Sequence, residues 1–138
     1  MNKTIVVVLA SLLILAGCAH HRPSGTPPFD PENPRIYVIN GKQLVVDQEP
    51  IYIASGKKDV RIVWQLPTGY AFPRDSGIVI EKSLDQFACR PDGENLTRFA
   101  CVFKNSIRGT VRYKYTINAI EVASKRSLSL DPYIYGDF

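Results

Sequence analysis

The chain has 138 residues and a formal net charge of +4, a basic excess too slight to argue for nucleic acid as a partner. Both histidines fall at 20 and 21 and the one methionine is Met1, so residues 35–138 contain neither imidazole nor thioether. That composition excludes Ser-His-Asp and Cys-His nucleophile systems and a blue-copper centre from those residues, and leaves a zinc ion little but carboxylates to draw on.

The first element is an apolar leader. Lys3 makes its start positive, and Ile5 to Ala16 is apolar except for Ser11. A run of about 12 residues matches a signal-peptide core and falls short of the ~20 that a spanning helix needs. Small Ala16 and Gly17 then precede Cys18. On the residues alone, this is a secretory signal peptide or a short anchor that stays attached. Leu15-Ala16-Gly17-Cys18 resembles the lipobox of bacterial lipoproteins. The resemblance implies a diacylglycerol on the Cys18 sulfur, cleavage in front of it, and a mature chain of net charge +3, because residues 1–17 contain Lys3 and no acid. Several acyl chains on one residue anchor stably where a single chain is marginal. In that family an Asp after the cysteine holds many members in the inner membrane. Ala19 therefore implies the outer membrane of a Gram-negative bacterium, with the rest of the chain in the periplasm.

Residues 18–34 read as the lipidated Cys18 plus a tether. Pro23, Pro27, Pro28, Pro31 and Pro34 crowd it, and Phe29 is its one large apolar side chain. Such a segment buries too little surface to offset its ordering entropy. Proline at this density favours extended polyproline II, roughly 3 Å per residue, a reach of up to about 50 Å. His20 and His21 on such a tether make a poor metal site.

Residues 35–138 read as one domain, about 100 residues, enough for a modest core. Arg35–Ile39 and Gln43–Val46 flank Asn40-Gly41, a strong hairpin signal because both turn residues tolerate positive φ. Ile51–Ile53 is a third short strand. Asp59–Leu66 alternates, with Val60, Ile62, Trp64 and Leu66 on one face. Ile78–Glu81 follows, then a strand in which Phe99, Cys101 and Phe103 share a face. Val111–Ala119 sets Val111, Tyr113, Tyr115, Ile117 and Ala119 against Arg112, Lys114, Thr116 and Asn118. Leu128 and Leu130 precede Asp131-Pro132, and Tyr133–Tyr135 reads as a last edge strand packed on the core. Helical spacing is missing except for a single turn near Ser83–Phe87.

About seven to nine such strands predict an all-β fold, a small antiparallel two-sheet β-sandwich of immunoglobulin-, transthyretin- or cupredoxin-like outline. A small closed β-barrel is the alternative. Trp64 is similar to the core tryptophan of immunoglobulin domains, but Cys89 and Cys101 do not bracket it. Two cysteines in an exported domain pair. They flank the turn Pro91-Asp92-Gly93-Glu94, so the bond closes a hairpin or short loop. Without Cys-x-x-Cys spacing or an adjoining helix, it is structural rather than redox-active.

Carboxylates are the one catalytic resource left. Asp75, Glu81 and Asp85 lie near one another, as do Asp92 and Glu94, and paired carboxylates hydrolyse glycosides. Acids scattered over turns and strand ends are more simply solvated surface, so no catalysis, metal or cofactor is expected. Binding is expected. The loop Pro67–Gly77 carries Tyr70, Phe72 and Arg74, either as anchors for a partner or, for the two rings, folded back to cap the core. Arg112 and Lys114, with Lys104 and Arg108 nearby, form a basic face for an acidic partner or lipid headgroups, or a solvated guard against aggregation. The expected role is a non-catalytic, protein-binding accessory subunit of an envelope or secretion assembly, held to the membrane by its lipid. Small tethered sandwich lipoproteins of secretion machines are similar in outline. A second reading is a periplasmic inhibitor or immunity protein that plugs a hydrolase with the loop Leu66–Gly77. A third is a small cell-wall glycan hydrolase.

Overall fold

The computed structural model describes residues 29–138; the leader, Cys18, His20, His21 and the prolines at 23, 27 and 28 lie outside the described residues. Strands follow one another with no helix among the described residues: β1 (Ile36–Ile39), β2 (Gln43–Val46), β3 (Ile51–Ile53), β4 (Val60–Gln65), β5 (Tyr70–Ala71), β6 (Ile78–Ile80), β7 (Phe87–Pro91), β8 (Arg98–Phe103), β9 (Val111–Glu121), β10 (Ser127–Leu130) and β11 (Tyr133–Gly136).

β9 organises the larger sheet. One of its edges pairs with β10 and β11, the other with β5 and β6. β10 and β11 share one register, with Leu130 facing Ile117 and Tyr133 facing Lys114. Between them Pro132 has no N–H to donate, yet its carbonyl accepts from Tyr115 N at 3.0 Å. The two are thus one return strand interrupted by a proline. β3 joins the far side of β11 in parallel, Ile51 opposite Ile134. Two expectations are corrected here. The sheet is not wholly antiparallel, and Tyr133–Tyr135 is an interior strand rather than an edge. Alternation assigns faces to a strand but does not name its neighbours.

β4, β8 and β7 form the second sheet, antiparallel throughout. Ile62, Trp64, Phe99, Cys101 and Phe103 from this sheet share one core with Tyr113, Tyr115, Ile117 and Ile134 of the first. The Trp64 and Tyr115 rings lie 5.4 Å apart, and those of Phe103 and Tyr113 5.5 Å apart. Among the described residues no sheet closes on itself, so the architecture is a two-layer sandwich and not the barrel alternative.

The β1–β2 turn is the one its sequence specifies. Asn40 and Gly41 are both left-handed, at φ 51° and 64°. Lys42 N donates to Ile39 O at 3.0 Å, and the extra residue sets Ile39 opposite Gln43. Arg126, from the β9–β10 turn, donates to the Gly41 carbonyl and ties the hairpin tip to the larger sheet.

Residues 30–34, whose prolines predict the end of a tether, belong to the folded unit. Pro34 is fully buried. The Glu32 carbonyl accepts from Val63 N at 2.8 Å, Gln48 Nε2 donates to the Asp30 carbonyl at 2.7 Å, and Arg35 bridges Gln65 in parallel. An apolar proline ring needs no N–H partner and is readily buried at a strand edge. This segment covers the outer edge of β4, whereas β6 and β7 each end their sheets on the opposite side.

Candidate functional site

The outer face of the larger sheet collects the side chains that alternation turns away from the core. Register sets Tyr52, Tyr135 and Arg112 in one row across β3, β11 and β9, with Tyr133 and Lys114 in the next. Tyr52 is 64% exposed and stacks on Tyr135 with ring centroids 5.2 Å apart. The Arg112 guanidinium lies 4.9 Å over the Tyr133 ring.

The two basic candidates on this face differ. Lys114 Nζ sits between Asp131 (3.1 Å) and Glu81 (3.2 Å), whose hydrogen bonds hold the ammonium above the ordinary lysine value. Asp131 is in turn held below the usual carboxylate range, by the Thr116 hydroxyl first and Lys114 second. Lys114 is therefore matched within the fold. Arg112 has no carboxylate partner among the described residues, so its charge is available to a ligand.

Leu84 borders the same face. It is 64% exposed and lines a hollow of about 370 Å³ with Arg112 and Tyr133. Lys82, Leu84 and Asp85 are left-handed, at φ 48°, 49° and 58°. Non-glycine residues are uncommon there, and these replace the helical turn expected near Ser83–Phe87 with two tight turns that push Leu84 outward.

The loop candidates part company. Phe72 is 1% exposed, its ring 5.5 Å from that of Phe99, and its N–H donates to Leu96 O at 2.7 Å. It caps the core and is not presented to a partner. Tyr70 is half-buried on β5, where its hydroxyl donates to Glu121 Oε1 at 3.4 Å, at the far end of β9 from Arg112. Arg74 is exposed at the rim of a groove between β6 and β7. Arg112 and Lys114 thus share a face, and Tyr70, Phe72 and Arg74 lie elsewhere.

Cys89 and Cys101 form a disulfide between directly opposed residues of β7 and β8. Cys101 is buried in the core and Cys89 is exposed. Of the acids, Asp92 accepts from Arg61 (2.6 Å) and Arg98 (2.9 Å), and Glu81 pairs with Lys114. Among the described residues no three His, Cys, Asp or Glu side chains converge as a metal cage requires.

No local motif marks Tyr52 or Leu84, and Tyr133 and Tyr135, expected on an edge strand packed on the core, face outward from an interior one. The alternations Ile51-Tyr52-Ile53 and Tyr133-Ile134-Tyr135 do turn these tyrosines outward. They do not reveal that the two strands are neighbours. Fold and face together define an all-β sandwich with an exposed tyrosine–arginine surface. Compared with protein-family models, with curated proteins and with solved structures, the chain matches none.

Proposed function

We propose that this chain is an outer-membrane-anchored periplasmic lipoprotein whose sandwich binds a protein partner, as a non-catalytic accessory subunit of an envelope or secretion assembly. The observation that carries the binding reading is the row Tyr52–Tyr135–Arg112 with Tyr133 beside it. Tyrosine and arginine are the residues that dominate interface energetics, because each offers a large contact area together with directional hydrogen bonds. An unpaired guanidinium among stacked rings suits a carboxylate on the partner. The anchoring reading rests on Leu15-Ala16-Gly17-Cys18. The inhibitor reading needs a protruding loop, and it draws little support from one whose Leu66 and Phe72 amides are tied to Thr97 and Leu96.

The test replaces Tyr133 with a photo-crosslinking phenylalanine in the full chain, produced in its own bacterial envelope. A discrete adduct with an envelope protein is expected, reduced about tenfold or more by Arg112→Glu. The same probe at Glu94 serves as the comparison and should give no adduct. Adducts from Glu94 but not from Tyr133 would overturn the assignment of this face. Capture of a lytic enzyme alone would favour the inhibitor. For the anchor, Cys18→Ser is expected to leave unprocessed precursor, and normal maturation of that variant would refute lipidation.

A further inference from the structure

The lateral side opposite the β1–β2 hairpin is open. There β7 is the last strand of its sheet, and half its backbone groups point outward. Gln86 O accepts from Lys104 N (2.8 Å) and Asp92 N donates to Arg98 O (2.9 Å), so even-numbered residues exchange hydrogen bonds with β8. Antiparallel geometry then aims the amide groups of Phe87 and Cys89, and the Pro91 carbonyl, away from β8. None has a backbone partner among the described residues. Ile78 and Ile80 lead the facing edge of the other sheet. Between the two edges runs a groove of about 420 Å³, floored by Ile78, Ile80, Phe87 and Phe99 and flanked by Cys89.

The charge at the groove is lopsided. Arg74 and Arg90 line it, and neither belongs to an ion pair among the described residues. Asp75 is the one acid in the lining, and Asp92, just past the end of β7, is already engaged by Arg61 and Arg98.

We propose that this side takes up an extended, acidic segment of a partner protein as an added strand along β7. Main-chain pairing would supply the affinity, the groove would accept every second side chain, and Arg74 and Arg90 would select for carboxylates. The site uses no residue of the tyrosine face, so either can fail without the other. A second copy of this chain fits worse. Pairing β7 with itself about Cys89 sets Phe87 opposite Pro91, which has no N–H for the Phe87 carbonyl. Pro91 thereby discourages self-association while leaving the edge open to a strand that carries its own donors.

The probe is a blocked heptapeptide of alternating valine and threonine with glutamate at both ends, added to the full chain in detergent. Amide exchange is read by NMR, and binding by fluorescence anisotropy of labelled peptide. The Phe87 and Cys89 amides are expected to exchange at least about tenfold more slowly at saturation. A lysine-ended peptide should bind at least about tenfold more weakly, and Arg74→Glu/Arg90→Glu should reverse that order. Peptide N-methylated at every residue, which leaves neither edge a donor, should not bind, a control that needs no protein variant. Equal binding of the N-methylated peptide, or unchanged Phe87 and Cys89 exchange with the acidic peptide, would overturn the proposal. Concentration-dependent protection of the same amides without peptide would overturn it too, by making a second copy the occupant.

Discussion

Trp64 on β4 and Tyr115 on β9 join the two sheets through the centre of the sandwich. The indole Nε1 donates to the phenol oxygen at 3.4 Å, the rings lie 5.4 Å apart, and both residues are fully buried. Burial pushes the Tyr115 phenol far above its ordinary value, the Trp64 hydrogen bond only partly opposing it. The folded state therefore resists an ionisation that the unfolded chain undergoes near pH 10. Stability from this source is complete below about pH 10 and declines as pH rises above it. Tyr115→Phe should cost about 1 kcal/mol at pH 7 for the lost hydrogen bond, but should flatten the alkaline decline. Tyr113, also raised by burial, leaves a residual slope. Urea midpoints between pH 7 and 11 check this, and identical slopes in both proteins would contradict it.

Gly136 and Gly77 mark where a single methyl has no room. A Cβ on Gly136 would stand 2.5 Å from both Asn105 Oδ1 and Phe103 Cζ; on Gly77, 2.5 Å from Phe99 Cδ2 and 2.8 Å from Phe72 Cβ. Overpacking of this kind costs about 1–3 kcal/mol, so either Ala variant should lower Tm by about 10 °C. Gly69→Ala is the contrast. Its φ of 90° strains an Ala, but nothing lies within 4 Å, so about 1 kcal/mol is expected. Thermal melts that rank Gly69→Ala as the worst would reverse the steric argument.

The Cys89–Cys101 bond spans a sequence separation of 12. A loop of that size implies about 3 kcal/mol, mainly by constraining the unfolded chain. Cys89 is exposed, so a reductant should reach the bond in the native state. Reduction, or Cys89→Ser/Cys101→Ala, should lower Tm by more than about 10 °C without changing the far-ultraviolet spectrum at 20 °C. Non-reducing peptide mapping should recover the two cysteines joined.

Asn105 clamps the end of the chain to the β3–β4 loop. Its Nδ2 donates to Lys57 O (2.8 Å) and Asp137 O (3.0 Å), at 3% exposure and φ 46°. Asn105→Ala should cost about 2 kcal/mol. Asn105→Asp should cost more at pH 7, because a buried carboxylate would then face two carbonyls. It should recover part of that loss at pH 5, where protonation restores a donor. Urea unfolding at both pH values measures the difference, and equal loss at the two would count against the clamp.

Several elements were legible before any tertiary contact was known. Asn40-Gly41 specified a left-handed turn, the alternation of Val111–Ala119 separated Tyr113 and Tyr115 from Arg112 and Lys114, and the cysteines flanked a turn that brings them opposite. Each is a local property: a turn conformer, a two-residue period, a short loop. The parallel pairing of β3 with β11 was not local. It brings Tyr52 beside Tyr135 across most of the folded chain, and no window of sequence contains both.

By itself, then, the sequence determined the all-strand character, the inward face of β8 and β9, and the cysteine pair, while β5 and β7 carried no alternation that marked them. A period of two states the face and says nothing of the neighbour. Tertiary structure alone decided that Phe72 closes the core, that residues 30–34 seal one edge of β4, that three tyrosines and Arg112 share a surface, and that the β7 edge stays open. Those outcomes depend on which strands find one another, a choice made by the burial of the whole apolar set at once rather than by any one segment.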